Sequence, residues 1–452
     1  MNASTATTVG LKRTVPLLML VVACGHFNRI SISVIGNEQL IPKYGISPDR
    51  MGLVYSAFLL FYTVAMLPGG WLIDRFGPRA ALTLLGFGSV VFVGLSGCTA
   101  YLSKDVEAIW ISLLIVRSFM GVFNAPLHPA AARMVSQCVE PRSRVLANGF
   151  VTFSACVGMA ATYSVMGYLI DHCGWTWALG VSSVMTLIVT LAWTSGTQRS
   201  PKEPQSSPPN AQIHDGQLSL WHVLRQPSVI CITLSYAAMG YFQYLFFYWI
   251  NFFFETVQQQ DRSVARWYAT IITLSMGLGM VGGGWLVGQI PARLSPRWRR
   301  SLVPVLGMIS SGLIFEVGLL ASNPHVTLVL LAISAALIGA CEGSFWTTSV
   351  ELGGRYGGTT ASLMNTGCNI GGTLSPSLTP VMSQIFAQYY GQDLGWRISL
   401  AVAGGIVVAG AFLWWGINPS AQEDDQASVE SRFQGPLDER SIRDVLTPQR
   451  GG

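Results

Sequence analysis

Charge is scarce in this sequence. Only 11% of its 452 residues are Asp, Glu, Lys or Arg, and 50% are hydrophobic, whereas soluble domains carry about 25% charged residues. A soluble fold is excluded, because it has nowhere to bury so much apolar surface. Cysteine pairing is lacking too. The eight cysteines form no Cys-x-x-Cys pair and fall mostly in apolar stretches, so they read as small packing residues and not as metal ligands or a disulfide framework. No Ser/His/Asp set, metal-spaced His/Cys cluster or phosphate-cradling loop stands out. The expectation is therefore a protein that is no enzyme and has no cofactor or metal. No small-residue cleavage site closely follows the first apolar run, which is expected to remain as a helix and not to leave as a signal peptide.

What is present is apolar length. A hydrocarbon core roughly 30 Å thick takes about 20 helical residues. Twelve stretches qualify, near 15–36, 51–72, 80–101, 108–134, 144–170, 174–196, 227–257, 263–290, 301–322, 326–352, 358–388 and 394–417. The fold class is all-α, with twelve transmembrane helices, in an integral membrane protein whose partner is the lipid bilayer. The net charge of +5 reflects where the basic residues lie and gives no reason to expect a nucleic-acid partner. With both termini placed in the cytoplasm, 19 Lys and Arg fall inside and 6 outside, and two, Arg29 and Arg117, fall within spans. The positive-inside rule then orients the chain in the plasma (inner) membrane with both ends cytoplasmic.

The chain divides in two. Residues 197–226 are rich in Pro, Ser and charge, the signature of a linker. The expected layout is a cytoplasmic N-terminus 1–14, a six-helix bundle 15–196, the linker 197–226, a second six-helix bundle 227–417 and a disordered cytoplasmic tail 418–452. The halves repeat. Gly69-Gly70-Trp71-Leu72 recurs as Gly283-Gly284-Trp285-Leu286, an offset of 214, and Gly121-Val122-Phe123-Asn124-Ala125 aligns with Gly339-Ala340-Cys341-Glu342-Gly343, an offset of 218. Gly174-Trp175 and Gly395-Trp396 open spans 6 and 12. Two related six-helix bundles suit a transporter that binds its substrate near the midplane, between repeats, and rocks around it.

Between spans 2 and 3 lies Gly70-Trp71-Leu72-Ile73-Asp74-Arg75-Phe76-Gly77-Pro78-Arg79. The Gly-x-x-x-Asp-Arg-x-Gly-x-Arg spacing, carried by Gly70, Asp74, Arg75, Gly77 and Arg79, resembles the loop signature of the major facilitator superfamily. The resemblance implies that these charges pair with charges and helix ends of the neighbouring bundle. Within that superfamily the chain resembles the anion:cation symporter family of sugar-acid and organic-anion carriers. The matching segments are Phe27-Asn28-Arg29, Ser56-Ala57-Phe58 with Tyr62, Pro68-Gly69-Gly70-Trp71, Arg117 with Asn124-Ala125-Pro126, Phe345-Trp346, and Met364 through Gly372 with Ser375-Pro376. The resemblance implies that Arg29 and Arg117 bind the substrate anion, and that Tyr62 and Trp346 occupy cavity positions. It also implies an acid at the positions of Asn28 and Asn124, where amides stand instead. An amide neither takes up nor releases a proton, so the usual coupling path is interrupted.

The intramembrane polar residues point the same way. An Arg at the bilayer centre costs roughly 2.5–3.5 kcal/mol. Arg29 and Arg117 are therefore expected to hold a substrate carboxylate, the alternative being an internal ion pair. Arg117, Asn124 and His128 share one helical face at spacings of seven and four. His128 titrates near neutral pH if unperturbed, and Glu342 stands at the repeat-related position of Asn124. Both are coupling candidates, alongside Asn28. The alternatives are a histidine bonded to a helix carbonyl and a carboxylate paired with Arg29 or Arg117. Glu316 reads as a packing residue of a peripheral helix. Polyol hydroxyls would meet Gln243, Tyr244 and Tyr248 of span 7, with Asn251 on the same face, and Asn365 and Asn369 of span 11.

The reading is a monomeric secondary transporter of a small organic anion, most simply a sugar acid (hexonate, hexuronate or aldarate), working by alternating access, with the proton as its candidate co-substrate. Two alternatives stay open. One is a carrier of organic phosphates or neutral sugars acting as exchanger or facilitator. The other is a nutrient sensor that moves nothing, against which the linker and tail of about 30 and 35 residues are short for an added domain.

Overall fold

The computed structural model describes residues 3–102, 105–139, 144–197, 225–291, 293–353 and 357–418. Most of the expected linker and nearly all of the expected tail lie outside the described residues. The described residues form twelve helical crossings. α1 runs over residues 3–44, with a π turn at Gly36–Leu40. α2 (48–76) is interrupted at Ala65. α3 is Pro78–Leu102, and α4 (106–138) breaks at Ala125-Pro126. α5 (144–173) and α6 (174–196) meet at a kink at Gly174. α7 (227–257) ends in a π turn at Phe253–Val257. α8 is Arg262–Gln289, α9 Pro296–Leu320, α10 Pro324–Gly353 and α11 Gly357–Tyr390. α12 (392–416) ends in a 3-10 turn.

Nine candidate spans are long and apolar enough to cross a membrane, one of them covering both α5 and α6. α2 and α11 are the exceptions. α2 is divided into pieces of 17 and 11 residues, and α11 carries amides, hydroxyls and glycines along its length. These two helices pack against each other across the molecule, so neither faces lipid all round. Large apolar side chains such as Leu53, Leu60, Val91, Ile188, Leu278 and Leu320 point outward instead, as a lipid-facing surface requires.

The two halves pack alike. In the first, α1 lies on α5, α2 on α4 and α3 on α6; in the second, α7 lies on α11, α8 on α10 and α9 on α12. One closure explains the Gly121/Gly339 match. A Cβ on Gly121 would lie 2.2 Å from the Phe58 carbonyl oxygen on α2, and one on Gly339 would lie 2.2 Å from the Met276 carbonyl oxygen on α8. Phe58 and Met276 are themselves 218 apart. Any side chain at either glycine would hold these backbones apart. Glycine also makes the tight turns. Gly77, Gly174 and Gly391 sit at φ +85°, +79° and +84°, a region open to glycine and strained for other residues. Gly391 is thus the turn residue that corresponds to Gly174. Gly395, aligned with Gly174 from the sequence, lies inside α12 and packs on α11.

α1 extends beyond the expected end near residue 36, because Glu38 is buried in its π turn against a cation described below. Hydropathy alone reads that glutamate as the edge of the membrane.

Gly121→Leu and Gly339→Leu are each expected to lower stability by about 1–3 kcal/mol through overpacking. Thermal unfolding in detergent followed by tryptophan fluorescence checks this; unchanged midpoints for both would show that the close approaches do not hold the bundles.

Candidate substrate site

Arg29 lies midway along α1 with 8% of its surface exposed. Phe58 and Tyr62 of α2 and Tyr244 of α7 surround its guanidinium, with ring centroids 5.3, 5.3 and 5.1 Å from the central carbon. Nη2 donates to the Tyr244 hydroxyl, and Nε has no hydrogen-bond partner. Among the described residues no carboxylate pairs with it. Aromatic faces attract a cation by a desolvated maximum of about 2 kcal/mol, but they do not neutralise it. A buried charge of this kind calls for an anion.

Arg117 is spent differently. It is 2% exposed. Nη1 donates to the Asn28 carbonyl at 3.1 Å and Nη2 to the Arg29 carbonyl at 2.6 Å, with the Met120 sulfur 3.2 Å from Nη1. The sequence places both arginines on the substrate. The structure separates them, with Arg117 clamping the α1 backbone at the residue from which Arg29 projects. The two amides are also turned inward. Asn28 donates to the Thr186 hydroxyl at 2.8 Å and accepts from Ser182 at 2.5 Å, both on α6. Asn124 donates to the Met120 carbonyl at 2.8 Å and to Ser89 of α3 at 3.3 Å. Each amide uses both of its functions or its helix partners within the first bundle.

The second bundle supplies acceptors and aromatic surface. Tyr248 stacks on Tyr55 at 4.9 Å, and its hydroxyl has no partner. Glu342 of α10 accepts at Oε1 from the Tyr236 hydroxyl and, at 2.9 Å, from the Trp346 indole. Its Oε2 lies near the buried Gln243 amide, and neither that oxygen nor Gln243 Nε2 makes a hydrogen bond of ordinary geometry. The pairing of Glu342 with Arg29 or Arg117 is not found, since tyrosine and tryptophan of its own bundle hold it. Asn369 donates to the Met66 sulfur at 3.3 Å, and Asn365, one turn away on α11, is half-buried. Glu316 stands apart, packed against Gly404 of α12.

The Asp74 side chain lies outside the described residues. Arg79 donates to the Thr194 carbonyl at 2.6 Å and the Thr197 carbonyl at 3.0 Å, at the C-terminus of α6, where the helix dipole favours a cation. Arg75 stacks over Trp71 and Phe76 at 5.3 and 5.7 Å. The expected link from Arg79 to the neighbouring bundle is replaced by one within its own bundle. Gly77 makes the α2–α3 turn, and Gly70 faces open space.

Sequence reasoning missed a second charged centre. Arg266 of α8, read as lying beyond the membrane, is 6% exposed. It donates from Nε and Nη2 to Glu38 of α1 at 2.9 and 2.6 Å, and from Nη2 to Asp171 of α5 at 3.0 Å. Arg262 pairs with Glu255 at 2.9 Å. The available signal was the repeat: Glu38 and Glu255 are 217 apart, as are the π turns that hold them. Further contacts between bundles lie near this centre or at the midplane: Ser33 to the Phe247 carbonyl, Asn37 to the Tyr248 carbonyl, Tyr163 to the Phe247 carbonyl, Ser377 to Ser56 and Gln384 to Asp49. Toward the opposite, arginine-rich ends of the helices, Trp346 is exposed and His128 half-buried. These contacts close the Arg266 face, and Arg29 itself is buried.

The model of the Major Facilitator Superfamily matches residues 18–376. The chain is a membrane transporter and no enzyme, and it belongs to the major facilitator superfamily. It is 24% identical to a D-galactonate transporter of Escherichia coli over 392 residues, covering 80% of this chain and 87% of that protein. It is 23% identical to a hexuronate transporter of Bacillus subtilis over 375 residues, covering 80% and 86%. Among solved structures it is similar to a D-xylose-proton symporter, with TM-score 0.72 and 15% identity over 91% of this chain and 98% of that one. It is also similar to a bacterial homologue of the lysosomal transporter Spinster in an inward-facing conformation, with TM-score 0.70 and 18% identity over 89% and 95%.

Removing Arg266 leaves the buried Glu38 with Arg262 alone, at 3.9 Å, which weakens the closed face. An Asn37→Cys reporter is expected to react with an impermeant maleimide from that face about tenfold faster in Arg266→Gln, equivalent to ~1.4 kcal/mol. An unchanged rate would show that the ion pair does not hold the face shut.

Proposed function

We propose that this chain carries a sugar acid of the hexonate, hexuronate or aldarate class across the plasma membrane by alternating access, as a monomer with both termini in the cytoplasm. The observation that carries this reading is Arg29, a buried cation with an aromatic collar and no carboxylate partner among the described residues. A substrate carboxylate supplies the missing charge through charge-assisted hydrogen bonds. Arg117 acts as a positioning residue, fixing the α1 backbone behind Arg29. The hydroxyls of the substrate meet Glu342 Oε2, Gln243, Tyr248, Asn365 and Asn369, and Tyr62 and Trp346 flank the path. A polyol whose carboxylate docks on Arg29 fits this division, with the cation on one bundle and the acceptors on the other.

Rocking follows from the placement. The substrate bridges α1 of the first bundle and α7, α10 and α11 of the second, so its binding draws the bundles together while the Arg266 contacts exchange for contacts at the opposite ends. The orientation is supported by the 19 against 6 distribution of Lys and Arg, and the substrate class by the printed names of the relatives. Among the described residues, a phosphate monoester dianion would meet one cation without a carboxylate partner here, which favours the carboxylate.

Counterflow in proteoliposomes tests the reading. Labelled hexonate, hexuronate or aldarate is expected to exchange into preloaded vesicles, and unlabelled sugar acids, but not sugar phosphates, to compete. Glu342→Gln is expected to raise the KM about tenfold, as the loss of a charged hydrogen-bond acceptor would. Competition by organic phosphates alone would replace the carboxylate with a phosphate.

A further inference from the structure

The first bundle holds a second buried polar unit, one turn from Arg29. His26 of α1 and His128 of α4 face each other with Nε2 atoms 3.2 Å apart and ring centroids 5.0 Å apart, edge to face. The His26 Nδ1 lies 2.9 Å from the Val22 carbonyl oxygen. A carbonyl only accepts, so Nδ1 of His26 carries the hydrogen and its Nε2 keeps a lone pair. That lone pair at 3.2 Å takes a hydrogen from Nε2 of His128. The hydrogen-bond network thus assigns both tautomers. Nδ1 of His128 is left with a lone pair, on a ring that is half-buried. A proton added there breaks neither existing bond.

The surroundings of the pair decide what such a proton would sense. Among the described residues the charged group within electrostatic reach of both rings is Arg29. α4 presents the Asn124 amide, α3 the Ser89 hydroxyl, and α6 the Thr186 and Ser182 hydroxyls bonded to Asn28; none of these carries a charge. The Cys24 thiol of α1 is bonded to Thr186. The carboxylate of Glu342 is held in the other bundle by Tyr236 and Trp346.

We propose that the His26–His128 pair is the proton-binding site of this transporter, filled and emptied in step with Arg29. The proposal rests on the sugar-acid reading above. A fixed cation opposes a second positive charge beside it. A carboxylate docked on Arg29 cancels that repulsion, so the anion favours the proton at His128. By linkage, the proton favours the anion to the same degree. One monocarboxylate anion, such as a hexonate or hexuronate, and one proton then cross together with no net charge. The unit stands where the acids implied at positions 28 and 124 are amides, and it needs neither of them.

The experiment separates coupling from transport. Wild-type protein, His128→Gln and His26→Gln are reconstituted, and each is checked for a monodisperse profile in detergent. Galactonate is the probe, in counterflow without a gradient and in accumulation driven by an inward-acid pH gradient. In the wild type the gradient is expected to raise accumulation several-fold, and galactonate affinity to weaken as pH rises from 5 to 8. In either His variant counterflow is expected to continue, with the gradient response lost and the affinity flat across that range. Gradient-driven accumulation at the wild-type level in both His variants would overturn the proposal. So would counterflow in the wild type with no gradient response at all, or loss of the response in Glu342→Gln with both His variants intact. No counterflow of galactonate or any other sugar acid by the wild type would overturn the substrate reading itself, and the proton site with it.

Discussion

A guanidinium buried among aromatic rings, with no acid paired to it among the described residues, sets the terms for the rest of the molecule. In a low-dielectric interior an isolated charge is expensive, and the fold accommodates Arg29 by arranging cation–π faces around it and by pinning the backbone that carries it. Arg117 does the pinning through the carbonyls of residues 28 and 29. Asn28 fastens the same turn of α1 to α6. These contacts are satisfied inside one bundle, so they persist as the bundles move. The contact that crosses at the midplane, from Arg29 to the Tyr244 hydroxyl, occupies one nitrogen of a group able to bind more. On the proposed reading, an anion enters a site already prepared for its charge, and that preorganisation lowers the cost of binding.

The repeat supplies the motion. Each bundle is held by close backbone approaches that leave no room for a side chain, as at Gly121 and Gly339. Each therefore moves as a unit. The bundles meet through α2 and α11, α5 and α8, and α1 and α7. On one face that meeting is strengthened by the buried pair of Glu38 and Arg266. Arg266 holds Glu38 through two nitrogens with Asp171 as a third member, joining α8 to α1 and α5 on this face. π turns on α1 and α7 bring Glu38 and Glu255 into this layer, and π turns recur at functional positions because they re-aim side chains without ending the helix.

Much of this was legible in the sequence. Twelve apolar stretches, the glycine matches between halves and the charged α2–α3 turn carry the fold, because bilayer thickness and backbone satisfaction leave few alternatives. Arg29 stood out for the same reason. The division of labour between Arg29 and Arg117 was not legible, since it depends on which face of each helix meets which neighbour, and two arginines in apolar helices look alike in one dimension. Glu38, Asp171 and Arg266 were hidden by their position near helix ends, where charge reads as solvent exposure; only their mutual pairing buries them. His26 was missed because it follows a glycine in an apolar run and, within α1, bonds only the Val22 carbonyl. Its partner lies 102 residues away on α4.

The assignment of the substrate anion to Arg29, and not to Arg117, is the claim on which the rest depends. Isothermal titration of galactonate into purified Arg29→Gln and Arg117→Gln, each with its thermal midpoint measured, addresses it directly. Arg29→Gln is expected to keep its midpoint and lose at least about tenfold in affinity, as the loss of a charged hydrogen-bond pair would, whereas Arg117→Gln is expected to lose thermal stability first. Galactonate binding at wild-type affinity by a folded Arg29→Gln protein would contradict it.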